Sequence, residues 1–155
     1  MLKRYLLLVA FSALAASAQG NPWLGTWKMN PAKSHMENIP DVSAMATMTL
    51  HITEQGDKEV LDFKGVDVNG KKFQQTLVQP SKGGKVEGPS EADFDAAILS
   101  VPDSHHWIYS YSKNGKPVAK RIVTLSEDGK TQVAQFSAKL PNGKTMIDND
   151  YMEKQ

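Results

Sequence analysis

Glycines at intervals of fourteen residues are the feature that most restricts how this 155-residue chain can fold. They form two sets of three: Gly56, Gly70 and Gly84, then Gly115, Gly129 and Gly143. Most of them follow Asn or Asp, residues that tolerate the left-handed backbone of tight type I′ turns, which glycine adopts without steric cost. The spacing therefore predicts a series of β-hairpins, with a further turn at Pro102-Asp103.

The stretches between these turns are predicted to be strands. They are rich in Val, Ile, Thr, Phe and Tyr, and several alternate between apolar and polar residues. The predicted strands cover residues 23–29, 45–54, 58–67, 72–79, 94–101, 104–113, 117–126, 131–140 and 144–153, with a short one near 85–88. Helical periodicity is nearly absent from this part of the chain, although Pro31–Ile39 and Ser90–Ala97 could each form a single helical turn.

The predicted fold class is all-β, an antiparallel up-and-down meander of about 9–10 strands that closes into a β-barrel. An open meander would leave two long unpaired edges, which closure removes. A β-sandwich is the alternative, although its turns usually recur every ~8–12 residues. An outer-membrane barrel is disfavoured because neither strand face is consistently apolar.

The first eighteen residues are predicted to be a cleavable secretory signal peptide. Lys3 and Arg4 precede an apolar run from Leu6 to Ala16, and Ala16-Ser17-Ala18 fits a signal peptidase site before Gln19. The run of about eleven residues is too short to cross ~30 Å of hydrocarbon as a helix. We therefore expect a signal peptide at residues 1–18 and one domain at residues 19–155, with an uncleaved anchor as the alternative.

The chain has no cysteine, so neither a lipid anchor nor a disulfide is expected. In an exported protein this composition favours a bacterial envelope origin. The 18 basic residues nearly balance the 17 acidic ones, which gives no electrostatic reason to bind nucleic acid or an anionic membrane. The sequence thus predicts a periplasmic or secreted monomer with no nucleic-acid partner and no membrane span.

The segment Gly25-Thr26-Trp27 resembles the start of lipocalins and fatty-acid-binding proteins, whose first strand begins with Gly-x-Trp. The final Tyr151-Met152-Glu153-Lys154 is similar to the end of fatty-acid-binding proteins. The longer segment Gly25–Ser34 resembles a group of small exported bacterial proteins of uncharacterised function. The resemblance implies a lipocalin-like barrel in which Gly25 and Trp27 form the floor and the interior holds a small hydrophobic or amphiphilic ligand.

Two departures from these families bear on the ligand. Fatty-acid-binding proteins hold a carboxylate with Arg-x-Tyr in the last strand, where this chain has Asp148-Asn149-Asp150-Tyr151, and their two-helix lid is missing here. Arg121 could play the part of the lipocalin arginine that packs over the first-strand tryptophan. Carboxylate capture by the Arg-x-Tyr device is therefore not expected.

An aromatic stripe supplies the predicted ligand-binding residues. Trp107, Tyr109 and Tyr111 share one face of their strand, and Phe136 belongs to an apolar face of another. Aromatic residues in this pattern either fill the core or line a cavity, and in a barrel the two roles merge. We expect these four side chains to contact the ligand.

Three other patterns contain residues capable of chemistry. Asp148 and Asp150 share a strand face and could bind a cation or an amine-bearing ligand; the alternative is an exposed face opposite lysines. His105 and His106 are adjacent, so they point to opposite faces and are predicted to be surface residues rather than metal ligands. Gly65–Lys72 approaches a P-loop but lacks the final Ser or Thr, so a hairpin is expected.

No nucleophile motif occurs in the sequence, so no catalysis and no cofactor are predicted. The leading hypothesis is an exported protein that binds a small hydrophobic or amphiphilic molecule. The alternative is an envelope protein-binding module, such as an inhibitor or assembly factor, with its contacts on loops 31–43 and 86–96.

Overall fold

The computed structural model describes residues 20–38, 45–88 and 94–155, and these ranges form eleven strands and no helix. The strands are β1 (Gly25–Met29), β2 (His35–Glu37), β3 (Met45–Gln55), β4 (Lys58–Asp67), β5 (Lys72–Pro80), β6 (Gly84–Lys85), β7 (Ala96–Asp103), β8 (His106–Lys113), β9 (Lys116–Leu125), β10 (Thr131–Lys139) and β11 (Thr145–Lys154). These ranges therefore contain no helical segment that could cross a bilayer. The prediction of an all-β fold is confirmed, and the predicted signal peptide lies outside the described residues.

The strands form an antiparallel meander that nearly closes on itself. Their order in the sheet is β5-β4-β3-β1-β11-β10-β9-β8-β7-β6, and β2 lies beside β11 after β1 has left it. At the seam, Val78 of β5 pairs with Glu87, and the two residues exchange backbone hydrogen bonds of 2.7 Å. This seam joins the two edges of the sheet, as barrel closure requires.

The hairpin turns occur where the glycines predict them at five of the six positions, but only one is a type I′ turn. At Asn114-Gly115 both residues have positive φ, 51° and 72°, and they link Lys113 directly to Lys116. At Gly70, Gly129 and Gly143 the glycine alone has positive φ, and its amide donates to the carbonyl three residues earlier. These longer turns combine an ordinary turn with a left-handed glycine.

Two predicted turns are wrong in position. Gly84 lies in β6, and the turn before it falls on residues 81–82. Pro102-Asp103 belongs to β7, and the turn falls two residues later, on Ser104 and His105, because Asp103 pairs with His106. The register shifts between Ser100 and Asp103, and such an irregularity accommodates a proline that cannot donate to the ladder.

The predicted helical turn at Pro31–Ile39 is confined to its start, where the Lys33 and Ser34 amides both donate to the Asn30 carbonyl at 3.1 Å, and the part from His35 to Glu37 is a strand instead. The chain makes a short turn and then re-forms pairing with β11 as β2. The Ser34 hydroxyl connects the two parts, because it donates to the Asn30 carbonyl at 2.9 Å and accepts the Tyr151 amide at 3.0 Å. Residue 39 and, from the second predicted helical turn, residues 90–93 lie outside the described ranges, whereas 96–97 begin β7.

Three indoles close one end of the barrel. Trp27 is fully buried and its Nε1 donates to the Trp23 carbonyl at 2.9 Å. Trp23 Nε1 donates to the Ser104 carbonyl at 3.0 Å, and its ring stacks on Trp107 with centroids 4.0 Å apart. Both buried N–H groups of Trp23 and Trp27 are thus satisfied, which lets these large side chains fill the floor without a polar penalty.

The cation over Trp27 is Lys154, so the predicted position of Arg121 over this ring is wrong. Lys154 pairs with Trp27 across β1 and β11, places Nζ 5.1 Å from the ring centroid and donates to the Pro22 carbonyl at 2.7 Å. Gly25 has φ of 121°, and a Cβ there would lie 3.3 Å from Lys154 Cε. Arg121 lines the interior cavity instead, with its guanidinium over the Phe136 ring.

Candidate ligand site in the barrel interior

Strands β8 to β11 present a mixed aromatic and charged wall to the interior. Their register places Tyr109 opposite Arg121, Arg121 opposite Phe136, and Phe136 opposite Asp148. Directly opposite side chains share a sheet face with Cβ atoms ~5 Å apart. The next row toward the floor consists of Trp107, Val123, Ala134 and Asp150.

A small cavity adjoins this wall. Its volume is about 40 Å³, enough for a few water-sized groups and far below the ~300–1,000 Å³ of pockets that hold drug-sized ligands. The lining is mostly aliphatic and aromatic, with three charged or amide side chains: Met48, Leu50, Leu61, Phe63, Leu77, Trp107, Tyr109, Tyr111, Arg121, Val123, Gln132, Ala134, Asp150 and Met152. Side chains thus fill most of the interior in this conformation.

The structure brings three of the predicted ligand-contact residues to the cavity and the fourth beside it. Trp107, Tyr109 and Tyr111 line it, and Phe136 packs edge-on against Tyr111 with centroids 5.8 Å apart. Tyr109 and Tyr111 stack at 6.3 Å. The role of these four residues in binding stays a prediction, and so does the floor role of Gly25 and Trp27, which lie in β1 with Trp27 fully buried.

A buried hydrogen-bonded chain fixes Tyr109 and was missed by sequence reasoning. The Tyr109 hydroxyl donates to Gln79 Oε1 at 2.6 Å, Gln79 Nε2 donates to Glu59 Oε2 at 2.9 Å, and Asn21 Nδ2 donates to Glu59 Oε1 at 2.7 Å. Burial raises the pKa of Tyr109 far above its ordinary value, so the hydroxyl remains a neutral donor. The alternation of side chains along β4 could have indicated that Glu59 is buried, because Glu59 shares a strand face with the buried Leu61.

Polar atoms without a partner are concentrated at the same wall. Of five buried side-chain polar atoms that have no hydrogen-bond partner in the described part of the chain, four lie here: Arg121 Nε, Gln132 Nε2, Asp148 Oδ1 and Asp150 Oδ1. Gln132 and Asp150 are only 3% and 6% exposed. Because leaving such an atom unpaired costs about 1–3 kcal/mol, native proteins normally supply a partner, a water or a ligand.

The two aspartates do not lie on an exposed face, so that alternative is wrong. They alternate with residues that face outward on β11, and Asp150 follows the same side as the buried Met152. Burial raises the pKa of Asp150 to about 6; the Asp148 charge adds to the rise, and Arg121 opposes it. Burial also raises the pKa of Asp148, and the charge of Arg121 opposes that rise.

Arg121 is the counter-charge of this wall. Burial lowers its pKa, but the electrostatic influence of Tyr111, Asp150 and Asp148 outweighs burial, so the pKa lies above its ordinary value. Its guanidinium lies 5.3 Å from the Phe136 ring centroid. Within the described ranges the ion pairs are at the surface, and none joins Arg121 to either aspartate.

The remaining sequence patterns do not form sites in the described structure. His106 Nδ1 contacts the Asp103 carboxylate at 2.8 Å and His105 Nδ1 contacts Ser104 Oγ at 3.0 Å, both at an exposed hairpin. No group of three or more metal-ligating side chains was found among the described residues. The P-loop-like segment 65–72 forms a hairpin, as expected.

Comparison with known proteins finds similarity in structure but not in sequence. No family model matches the chain, and no curated protein matches it either. The zebrafish ileal bile acid-binding protein, solved in complex with cholic acid, matches with a TM-score of 0.51 at 15% identity, over 86% of this chain and 99% of that one. This chain has a lipocalin-like β-barrel fold. The sandwich alternative is therefore wrong.

Other lipocalin-like barrels match more loosely. Apocrustacyanin C1 matches with a TM-score of 0.48 at 10% identity, over 90% of this chain. The chain spans 64% of the length of that protein. The siderocalin Ex-FABP matches with a TM-score of 0.38 at 11% identity, over 86% of this chain and 74% of that one.

Proposed function

We propose that this barrel binds a small hydrophobic or amphiphilic molecule in its interior and acts by holding the molecule rather than by converting it. The observation that carries the proposal is the set of four buried, unpartnered polar atoms on an otherwise aromatic and aliphatic wall. A barrel interior that served only as a core would gain from apolar side chains at these positions. The zebrafish neighbour, which was solved with cholic acid, supports a ligand in this kind of barrel.

The cavity must expand to admit such a ligand. Its volume of about 40 Å³ accommodates a polar head group, but an alkyl chain requires neighbouring side chains to move apart. Met48 and Met152 line the cavity, and methionine changes rotamer readily because its side chain is unbranched. Binding is therefore expected to displace side chains rather than backbone.

We further propose that the protein acts in the periplasm or outside the cell. This part of the proposal is supported by the signal-like pattern in residues 1–18, with its basic start, apolar run and small residues before Gln19. Amino-terminal sequencing of the protein recovered from the cell envelope tests it. A mature chain that begins at Gln19 is expected, and a chain that begins at Met1 would contradict it.

Interior binding is tested by filling the cavity from one wall position. Purified, delipidated protein is titrated by calorimetry with twelve-carbon amphiphiles below their micelle concentration. Ala134→Leu adds three carbons beside the cavity and should weaken binding at least about tenfold, because it occupies ligand space. Ala32→Leu makes the same change in an exposed turn and should leave binding unchanged.

Circular dichroism of both variants establishes that they are folded. Equal affinity for Ala134→Leu and the unsubstituted protein, or no heat of binding with any amphiphile, would contradict an interior site. A protein-binding module, the alternative expected from sequence, predicts that second result.

A further inference from the structure

We propose that the polar end of the ligand is a protonated amine bound by the Asp148 and Asp150 carboxylates, so that the barrel prefers cationic amphiphiles to fatty acids. This inference rests on the proposed function and adds the chemistry of the head group. It reverses the expectation for a fatty-acid carrier, in which the interior presents a cation to a carboxylate.

The charges facing the interior favour a cationic guest. Two carboxylates and one guanidinium face this part of the barrel, so the wall carries a net negative charge when both acids are ionised. Asp148 Oδ1 and Asp150 Oδ1 are both buried and unpartnered, and they lie two residues apart on one face of β11. An ammonium group offers three N–H donors, enough to satisfy both oxygens.

A second observation, independent of the acids, marks the same place as a binding site. Gln132 is 3% exposed, lines the cavity and has an unpartnered Nε2. With Arg121 Nε it provides two donors that need an oxygen, from a water or from a hydroxyl on the ligand. Four unpartnered atoms in one interior region are more than a rigid apolar core would retain.

The aromatic surroundings suit a cation as well. Tyr109, Tyr111 and Trp107 line the cavity, and aromatic faces attract a desolvated cation within ~6 Å. Leu50 and Leu61 line the cavity too and provide apolar surface for an alkyl tail. A fatty-acid carboxylate would instead add a third negative charge beside two existing ones.

Protonation links this preference to pH. Two charged groups act on Asp150 directly, Asp148 on its own strand and Arg121 on β9. Tyr109 and Tyr111 on β8 act on Arg121, and Glu59 on β4 acts on Tyr109. In the empty barrel the raised pKa of Asp150, about 6, lets this carboxyl take up a proton as the pH falls. An amine requires the ionised form, so its binding should weaken below pH 6 and release a proton near that pH.

Three ligands that share the same twelve-carbon tail but differ in their head groups test the inference. Full-length delipidated protein is titrated with dodecylamine, dodecanol and dodecanoate at pH 7.5, and with dodecylamine again at pH 5. Dodecylamine should bind at least about tenfold more tightly than the other two at pH 7.5. Its affinity should fall about tenfold at pH 5, although the amine stays protonated at both pH values.

Matched variants locate the effect. Asp150→Asn and Asp148→Asn should each reduce the preference for dodecylamine over dodecanol at least about fivefold while dodecanol binding persists. Asp57→Asn removes an exposed turn carboxylate and should change nothing. Because asparagine is close in shape to aspartate, persistent dodecanol binding also shows that the variants are folded.

The outcomes separate the two proposals. Tighter binding of dodecanoate than dodecylamine at pH 7.5, or an unchanged preference in Asp150→Asn, would overturn the amine assignment and leave interior binding intact. Failure of all three ligands to bind would overturn both.

Discussion

The buried carboxylate of Glu59 on β4 joins the N-terminal segment to β5 and β8. One oxygen accepts from Asn21 and the other from Gln79, which in turn accepts from Tyr109. Glu59 and Gln79 are 2% and 0% exposed, so water cannot replace these bonds. These three hydrogen bonds therefore orient the hydroxyl of Tyr109, which lines the cavity, from the opposite side of the barrel.

Glu59→Gln should destabilise the protein although it changes almost no volume. A glutamine has one acceptor oxygen, so its NH₂ group would face one of the two amide donors. We expect the free energy of unfolding to fall by about 1–3 kcal/mol, measured by urea denaturation at pH 7. Glu127→Gln, at an exposed turn, is the control and should change it by less than about 0.5 kcal/mol. An equal effect of both substitutions would contradict the role of Glu59.

At this scale, sequence reasoning identified which residues share a face but not where that face points. The alternation of side chains along a strand predicted that Asp148 and Asp150 share a face. Which face points inward depends on the pairing of β11 with β1, which sets Met152 opposite Met29 and places Trp27 on the same side. Both faces of β11 mix apolar and polar residues, Ile147 and Asn149 on one and Asp150 and Met152 on the other, so the two sides look alike in sequence. Long-range pairing, which no local pattern encodes, decided the matter.

Among the elements, β2 is the one that a pattern of turns and strands could not predict. It has three residues and follows a proline-containing turn, so neither length nor alternation marks it. It starts beside Ser34, whose hydroxyl accepts the Tyr151 amide left open where β1 departs from β11. The longer strands were predicted to within about two residues, because most of the turns that bound them contain glycine.

Ser34→Ala should loosen this junction. Removing the hydroxyl leaves the Tyr151 amide without its partner, so its hydrogen exchange should accelerate at least about tenfold, with a loss of about 1–3 kcal/mol in local stability. Nuclear magnetic resonance exchange measurements at the β2 and β11 amides check this. Ser110→Ala, on an exposed position of β8, should leave those rates unaltered. Unchanged exchange at Tyr151 in Ser34→Ala would show that the hydroxyl does not hold the junction.

For the whole molecule, closure places the two ends of the described domain side by side. β1 pairs with β11, and Gln155 donates its amide to the Thr26 carbonyl at 2.9 Å. The barrel was predictable because closure removes sheet edges, a requirement of any long meander. The size of the cavity was not, because it depends on the summed volumes and rotamers of all inward side chains.

A circular permutant follows from this closure. Joining residue 155 to residue 20 with a short Gly/Ser linker and opening the chain between Asn114 and Gly115, an exposed turn, should preserve the fold and amphiphile binding. Far-ultraviolet circular dichroism and calorimetry check both properties. The matched permutant opened between Ala134 and Gln135, within β10, should fail to fold, and similar behaviour of the two would contradict the prediction.

The stacked indoles at the floor give the molecule an optical marker of its own. Trp23 and Trp107 lie 4.0 Å apart with planes inclined by 16°, close enough for their electronic transitions to couple. The two residues are far apart along the chain, so the coupling exists only while the N-terminal segment is seated under the barrel. Trp107 also lines the cavity, so the same chromophore pair is sensitive to a guest in the interior without any added label.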